Sequence, residues 1–98
     1  MMEITDTRYF ALDSKGWIYA CDRLEELRDR LDWSDVKTGE YLFIDSDGWK
    51  YQGVADEHLE CGFQLTRKDE GRDMDTALVL SEYSDAERMS EENLKFCR

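Results

Sequence analysis

The chain has 98 residues, of which 41% are hydrophobic, 12% aromatic and 38% charged. This length fits one domain with a modest core, and the composition is too apolar for a disordered chain. Thirteen basic residues stand against twenty-four acidic ones, and the formal net charge of -11 repels nucleic acids and anionic membranes. We therefore expect no direct nucleic-acid binding and no membrane partner. The acidity either keeps a small protein soluble or selects a basic partner.

The N-terminal segment and the cysteines indicate the cellular compartment. The segment "MMEITDTRYF" contains no basic region followed by an apolar run, and no stretch approaches the roughly 20 apolar residues that cross a membrane. Cys21, Cys61 and Cys97 are an odd number of thiols at wide spacings, which favours reduced cysteines over a disulfide framework. We therefore expect a cytoplasmic protein. The sequence does not define its oligomeric state.

A hairpin pattern occurs twice in the first half of the chain. The segments 9–21, "YFALDSKGWIYAC", and 41–53, "YLFIDSDGWKYQG", each place two β-forming stretches around an Asp-Ser-x-Gly turn. Glycine at the fourth position favours a type I turn followed by a bulge, in which Leu12 pairs with Ile18. Because two copies are too few for a stack of repeats, we predict that both hairpins join one antiparallel sheet.

Two segments have the pattern of an amphipathic helix. Between the hairpins, Leu24, Leu27 and Leu31 fall on one helical stripe among charged residues. Near the C-terminus, Ser84 and Glu87 have the spacing of a capping box, which predicts the start of a second helix. The apolar side of that helix would comprise Ala86, Met89, Phe96 and Cys97.

Two further strands complete the predicted fold. Residues 63–67 and 76–83 are both rich in β-forming side chains, and a highly charged segment joins them. The order of elements is then ββα-ββ-ββ-α. We predict a single α+β domain spanning residues 1–98, with an antiparallel sheet of about six strands and two helices on one side of the sheet.

Alternation along the two hairpins sorts their side chains into two faces. The aromatic face would comprise Tyr9, Trp17, Tyr19, Tyr41, Phe43, Trp49 and Tyr51. The aliphatic face would comprise Phe10, Leu12, Ile18, Ala20, Leu42 and Ile44. Since two helices cover only one face of such a sheet, the aromatic rings either form the core of a small domain or stay open as anchors for a protein partner.

The turn at residues 45–48, Asp-Ser-Asp-Gly, imitates part of a calcium-binding loop. Such a loop needs oxygen ligands at its first, third and fifth positions, glycine at the sixth and a glutamate at the twelfth. With Gly48 as the glycine, Phe43 and Val54 occupy the first and last positions, and Lys15 replaces an acid in the first copy. We therefore expect a hairpin turn rather than a metal site.

No other group of residues predicts chemistry. His58 and Cys61 have the spacing of two zinc ligands, but Cys21 and Cys97 would have to converge from distant elements to complete the site. A cysteine–histidine pair alone also lacks the third group that orients a catalytic base. Close pairs of carboxylates are expected by chance among twenty-four acids. The sequence therefore predicts no catalytic residue, no metal and no cofactor.

The segments 24–49 and 76–96 together resemble a known class of proteins. Their shared features are a leucine-striped helix, the step Asp35-Val36-x-x-Gly39-Glu40-Tyr41, a turn containing Ile44, Asp45 and Gly48, and a closing strand and helix. In these features the chain resembles the small acidic immunity proteins that are encoded beside polymorphic toxins of contact-dependent and type VI systems.

The resemblance implies a non-enzymatic inhibitor that binds a cognate toxin and masks its active site or substrate surface. In the cytoplasm, a toxin with a basic active site, such as a nuclease, would suit an acidic inhibitor. We predict that the partner-binding residues are Asp13, Trp17, Asp45, Asp47 and Trp49. Two alternatives remain: a phage-type inhibitor that mimics the charge of nucleic acid, and a small enzyme or ligand-binding module with a pocket at His58.

Overall fold

The computed structural model of the protein describes residues 7–97. The ends of the predicted domain 1–98, and most of the N-terminal segment inspected for a signal, lie outside the described residues. Within them, the chain forms an antiparallel sheet of five strands together with four short helices. This confirms the predicted α+β class, whereas the number of strands and the placement of the helices differ from the prediction.

The sheet contains both predicted hairpins. Its strands are β1 (Tyr9–Leu12), β2 (Ile18–Cys21), β3 (Leu42–Asp45), β4 (Lys50–Ala55) and β5 (Phe63–Arg67). The helices are α1 (Leu24–Asp29), α2 (Trp33–Val36), α3 (Met74–Leu80) and α4 (Glu91–Cys97). The strands lie in the order β2-β1-β3-β4-β5, and each neighbouring pair is antiparallel. Leu12 lies opposite Ile18, which confirms the register predicted from the turn.

The leucine stripe after the first hairpin is confirmed only in part, because helix α1 ends at Asp29, before Leu31. Leu27 in α1 and Leu31 just after it are both buried. The chain then turns, and Asp32 begins α2 by accepting a hydrogen bond of 3.3 Å from the N–H of Ser34. A side-chain cap of this kind satisfies an N–H group that has no partner inside the helix.

The predicted strand at residues 76–83 is wrong, because this segment belongs to helix α3. The carboxylate of Asp73 accepts hydrogen bonds from both the N–H and the hydroxyl of Thr76, at 3.1 and 2.8 Å. This cap starts the helix one residue later. Thr76, Ala77 and Leu80 are buried, and their spacing matches one face of a helix rather than the alternation of a strand. Packing and capping thus override the β-forming tendency of the segment.

The predicted C-terminal helix begins later than the capping-box spacing suggested. The N–H of Ser84 donates to the Glu87 carboxylate at 2.6 Å, as in a capping box, but no helix follows. Ala86 has a φ of 65°, which a right-handed helix does not allow. Helix α4 starts only at Glu91, and Phe96, predicted on its buried side, is 60% exposed.

Residues 85–89 take the place of a sixth strand beside β2. The N–H of Ile18 donates to the carbonyl of Glu87 at 2.9 Å, and the carbonyl of Ile18 accepts from Ala86 at 2.8 Å. The N–H of Met89 donates to the carbonyl of Gly16 at 2.7 Å. The edge of β2 is thereby covered by the chain itself, which removes a site for edge-to-edge pairing.

The Asp85 carboxylate completes this closure. It accepts hydrogen bonds from the N–H of Ala20 at 2.9 Å and from the Arg30 guanidinium at 2.7 Å. Partial burial raises the pKa of Asp85, but the hydrogen bonds from Arg30 and Ala20 outweigh that effect, and the pKa lies below its ordinary value. The charged form of Asp85 is therefore the one that stabilises the fold.

Helices cover both faces of the sheet, so the prediction of two helices on one side is wrong. One apolar cluster, on the aliphatic face under α3 and α4, comprises Phe10, Leu12, Ile18, Ala20, Ile44, Ala77, Leu80 and Met89. The other, on the aromatic face under α1 and α2, comprises Ala11, Leu27, Leu31, Val36, Phe43, Phe63 and Leu65. The predicted division of the hairpin side chains between two faces agrees with these clusters, except that Trp17 and Trp49 belong to neither cluster.

Gly53 allows α2 to lie directly on β4. A Cβ atom at this position would overlap Cγ1 of Val36 and approach the Trp33 ring to 3.2 Å. We expect Gly53→Ala to lower the free energy of unfolding by about 1–3 kcal/mol, because α2 would have to shift. Gly71→Ala is the matched control, since a Cβ there meets nothing within 4 Å. Equal losses in urea denaturation would contradict this account of the packing.

Replacing Asp85 by Asn tests its charge while keeping an oxygen acceptor. Asp85 is partly exposed, so we expect Asp85→Asn to lower the free energy of unfolding by no more than about 1 kcal/mol near neutral pH. A lowered pKa stabilises the fold above the ordinary carboxyl pKa, and this contribution disappears as the pH falls through the folded value. The difference from wild type should therefore shrink below about pH 4. Glu82→Gln removes one charge at another exposed position and is the control, and equal losses for the two variants near neutral pH would contradict this role of Asp85.

Candidate functional site

The two hairpin turns have the same hydrogen-bond network. In the first turn, the Asp13 carboxylate accepts from the N–H groups of Lys15 and Trp17, both at 2.9 Å. In the second, Asp45 accepts from the N–H groups of Asp47 and Trp49, at 2.9 and 3.0 Å. The glycines at 16 and 48 have φ values of 95° and 90°, as the left-handed turn position requires. Each aspartate therefore fixes its own turn.

Asp45 is more deeply engaged than Asp13. It is 2% exposed, and its second oxygen accepts a hydrogen bond of 2.8 Å from the Tyr51 hydroxyl. Burial and this hydrogen bond raise the pKa of Tyr51 above the ordinary tyrosine value. Both carboxylate oxygens of Asp45 are thus used inside the protein, and its charge is not presented to a partner.

The structure separates the five residues predicted to bind a partner into two groups. In the pairing of β1 with β3, Tyr9 lies opposite Asp45 and Leu12 lies opposite Leu42. The first turn follows Leu12 and the second follows Asp45, so the turns lie at opposite ends of the sheet. Asp13 and Trp17 are therefore at one end, and Asp45, Asp47 and Trp49 are at the other.

The two matched tryptophans have different surroundings. Trp17 is 42% exposed, and its backbone pairs with that of Arg88 beside β2. Trp49 is half-buried, with the Arg67 guanidinium 3.7 Å and that of Arg72 5.7 Å from its ring centroid. Such contacts between guanidinium groups and ring faces stabilise the local packing. Of the two tryptophans, Trp17 is the more exposed.

The residues considered for metal binding do not assemble into a site. Within the described range 7–97, no three His, Cys, Asp or Glu side chains group closely enough to hold a metal ion. His58 is exposed, and the thiol of Cys61 donates to the carbonyl of Phe63 at 3.2 Å. The pairing of His58 and Cys61 noted in the sequence is therefore a feature of the β4–β5 connection.

Charge concentrates in the part of the chain that comprises α3, α4 and the segments before and between them. Residues 69–96 contain nine acidic and three basic side chains, a net charge of -6 out of -11 for the chain. Eight of these acids are exposed. Within residues 7–97, only Asp73 and Asp85 of the nine form ion pairs, with Lys50 at 3.7 Å and Arg30 at 2.7 Å. We call the exposed side chains of residues 69–96 the acidic helical surface.

Three large apolar side chains are exposed in this acidic surface, and one of them, Met74 at the start of α3, is 37% exposed. Leu78 on α3 and Phe96 on α4 are 61% and 60% exposed. The two helices are antiparallel neighbours, because Asn93 donates to the Tyr83 hydroxyl at 2.8 Å while Cys97 lies against Thr76. Exposed apolar residues surrounded by charge are typical of protein-binding surfaces.

The predicted partner-binding turns border the acidic helical surface at its two ends. At the first turn, Gly16 packs beside the Leu94 side chain of α4. At the second, the N–H of Asp73 donates to the carbonyl of Gly48 at 2.8 Å, immediately before α3. The surface thus extends between Trp17 and Asp47 across the helices.

Sequence reasoning missed Leu78 and Phe96 for an identifiable reason. Residues 76–83 were predicted to be a strand and Phe96 to face the core, so neither residue was considered exposed. The missed signal was the cap formed by Asp73 with Thr76, which has the spacing of a helix N-terminus. The surplus of acids between residues 69 and 92 was visible in the sequence and coincides with the surface.

Comparisons with known proteins give this chain no relative. No protein-family model matches it, and neither a curated protein nor a solved structure shows significant similarity to it. Among the helices formed by residues 7–97, none has the length and apolar composition needed to cross a lipid bilayer. The chain's function is therefore inferred from its own residues.

The turn aspartates should differ in their effect on stability. We expect Asp45→Ala to lower the free energy of unfolding by about 3 kcal/mol, because it leaves two N–H groups and the Tyr51 hydroxyl without an acceptor. Asp13→Ala, in the more open turn, should cost about 1 kcal/mol in the same urea denaturation experiment.

Calcium should leave the melting temperature of the wild type unchanged. A calcium-dependent rise would contradict the assignment of these residues to the turns.

Proposed function

We propose that the protein is a non-enzymatic inhibitor that binds a cytoplasm-acting toxin with a basic surface, as an immunity protein does. The observation that carries this proposal is the acidic helical surface, in which seven of the eight exposed acids have no ion pair within the described chain. Unpaired carboxylates at this density attract a basic partner and accelerate its association. A nuclease, whose active site binds phosphates, has the complementary charge.

The exposed apolar residues would make the complex long-lived, which charge alone does not. Leu78 and Phe96 would be buried on binding, and burial of large side chains slows dissociation more than it changes association. Trp17 and Asp47, at the ends of the surface, are the sequence-predicted residues that the proposal retains. In the proposed complex, Asp45 would only maintain the shape of its turn, because its carboxylate accepts a hydrogen bond from Tyr51.

The state of the cysteines supports a reducing compartment as the place where the protein binds its partner. Cys21, Cys61 and Cys97 are all free and half-buried. Burial raises the pKa of the Cys97 thiol, which favours its protonated and less reactive form. Free thiols of this kind are usual in cytoplasmic proteins.

The first test is to recover the partner from the native cells with the tagged full chain. We expect a basic protein at a one-to-one ratio, identified by mass spectrometry, whose toxicity on expression is suppressed by the wild-type chain. Recovery of the chain without a partner, from cells shown to contain the candidate toxin, would contradict the proposal. Release of nucleic acid from a defence enzyme would instead support the phage-type alternative.

Matched charge variants then locate the interface. The triple variant Glu70→Gln, Glu82→Gln and Glu92→Gln removes three charges from the acidic helical surface. The control variant Glu25→Gln, Glu40→Gln and Glu57→Gln removes three charges elsewhere, also at exposed positions. We expect the first variant to lower the association rate constant about tenfold at low salt and to weaken its salt dependence, with little change in the control. Equal effects would contradict this placement.

The apolar residues are tested in the dissociation rate of the same complex. We expect Phe96→Ala and Leu78→Ala each to accelerate dissociation by about tenfold or more, as truncation of a buried anchor does. Val54→Ala is the control, because Val54 is 39% exposed but lies on β4, outside the helical layer. If the binding surface did not include α3 and α4, the dissociation rates of these variants would not differ from that of the control.

A further inference from the structure

A cleft of about 320 Å³ opens on the face of the sheet opposite to the acidic helical surface. It lies between α2 and the strands β3 and β4, and Trp33, Tyr41 and Tyr51 contribute aromatic rings to its walls. Lys37 and Lys68 also line it. The proposed toxin inhibition makes no use of this cleft.

The aromatic walls are held in place before any ligand arrives. Trp33 stacks on Phe63, with ring centroids 5.3 Å apart and an angle of 16° between the rings. Tyr41 stacks on Phe43 at 5.7 Å, and the Tyr51 hydroxyl is bonded to buried Asp45. Fixed rings lose little conformational freedom when a flat ligand stacks on them, so the cleft is pre-organised.

Gly53 determines how closely α2 lies against β4 beside the cleft. It lines the cleft, and a Cβ atom at this position would meet Val36 and the Trp33 ring. The absence of a side chain there lets α2 approach the sheet closely. This contact therefore helps to fix the position of the Trp33 ring at the cleft.

The two lysines of the cleft have no ion pair, in a chain with almost twice as many acids as bases. No carboxylate of the described residues lies within 4.0 Å of either amino group. Lys68 stays unpaired although Asp69 and Glu70 follow it directly in the chain. Two unpaired ammonium groups at one cleft make an anion the favoured occupant.

Tyr41 adds a hydrogen-bond donor to the same cleft. Its hydroxyl has no hydrogen-bond partner among residues 7–97. Burial raises the pKa of Tyr41 to about 12, so the hydroxyl stays protonated at neutral pH. A protonated phenol can donate to an anionic oxygen. The carboxylates of Asp35, Asp13 and Glu40 also raise the pKa of Tyr41, so the attraction for an anion depends on Lys37 and Lys68 and not on the surroundings of Tyr41.

We propose that this cleft binds a small planar aromatic anion, with its ring against the aromatic walls and its anionic group at Lys37 and Lys68. The volume lies at the lower end of the ~300–1,000 Å³ range of small-molecule sites, which excludes large cofactors. Both a nucleoside monophosphate and an aromatic carboxylate have the required chemistry. The site is independent of toxin inhibition, because it lies on the other face of the sheet.

The test titrates the full chain with AMP and with indole-3-carboxylate, and follows the backbone and tryptophan N–H signals by NMR. Adenosine, indole and inorganic phosphate are the neutral and ring-free controls. We expect AMP, indole-3-carboxylate or both to bind saturably with a Kd of about 1 mM or lower, and to shift the signals of Trp33 and Gly53. Each neutral counterpart should bind at least about tenfold more weakly. AMP alone would assign a phosphate, and indole-3-carboxylate alone a carboxylate.

A pair of lysine variants separates the cleft from the general charge of the protein. Lys37→Gln with Lys68→Gln should weaken binding of the anion about tenfold and leave binding of its neutral counterpart unchanged. Lys15→Gln with Lys95→Gln removes the same charge at exposed positions outside the cleft and should have no effect. Absence of saturable binding by both anions, equal binding of the neutral compounds, or equal effects of the two variants would overturn the proposal.

Discussion

The apolar side chains on both faces of one short sheet are the constraint on which the rest of the structure depends. Phe10, Ala11 and Leu12 follow one another in β1, and all three are 0% exposed. Successive residues of a strand point to opposite faces, so neither face of the sheet can be left to water. A chain of 98 residues meets this requirement by placing short helices on each side. This arrangement leaves a different outer surface on each side of the molecule.

Local patterns in the sequence predicted the parts of the fold that form locally. Each hairpin is specified within thirteen residues by its aspartate, its glycine and the alternation of its strands, so the register of Leu12 with Ile18 was predictable. The pairing of β1 with β3 joins residues far apart in the chain, and no local pattern encodes it. Helix α3 was missed because Thr, Val and Tyr favour strands, whereas the cap at Asp73 and the helical spacing of its buried residues decided the outcome.

The candidate site was predictable in its chemistry but not in its position. Composition predicted an acidic surface, which suits either solubility or a basic partner, and the duplicated turns drew attention to Trp17 and Trp49. The same turn leads to two outcomes because its surroundings differ: Arg67 covers the ring of Trp49, while Trp17 has no such cover among the described residues. Likewise, the cleft with Lys37 and Lys68 forms only when α2 is laid on β4, a contact that depends on Gly53.

The closure of β2 by residues 85–89 has a consequence for folding during synthesis, because the segment that covers the strand is made after it. The bond from Ala20 to Asp85 spans 65 residues, and that from Arg30 to Asp85 spans 55. While the chain emerges from the ribosome, the outer edge of β2 therefore stays unpaired until residues 85–89 have been made. An exposed strand edge pairs readily with other chains, so a nascent or prematurely terminated chain is the form most at risk of aggregation. Residues 85–89 thus protect a strand whose Ala20 precedes Asp85 by 65 residues.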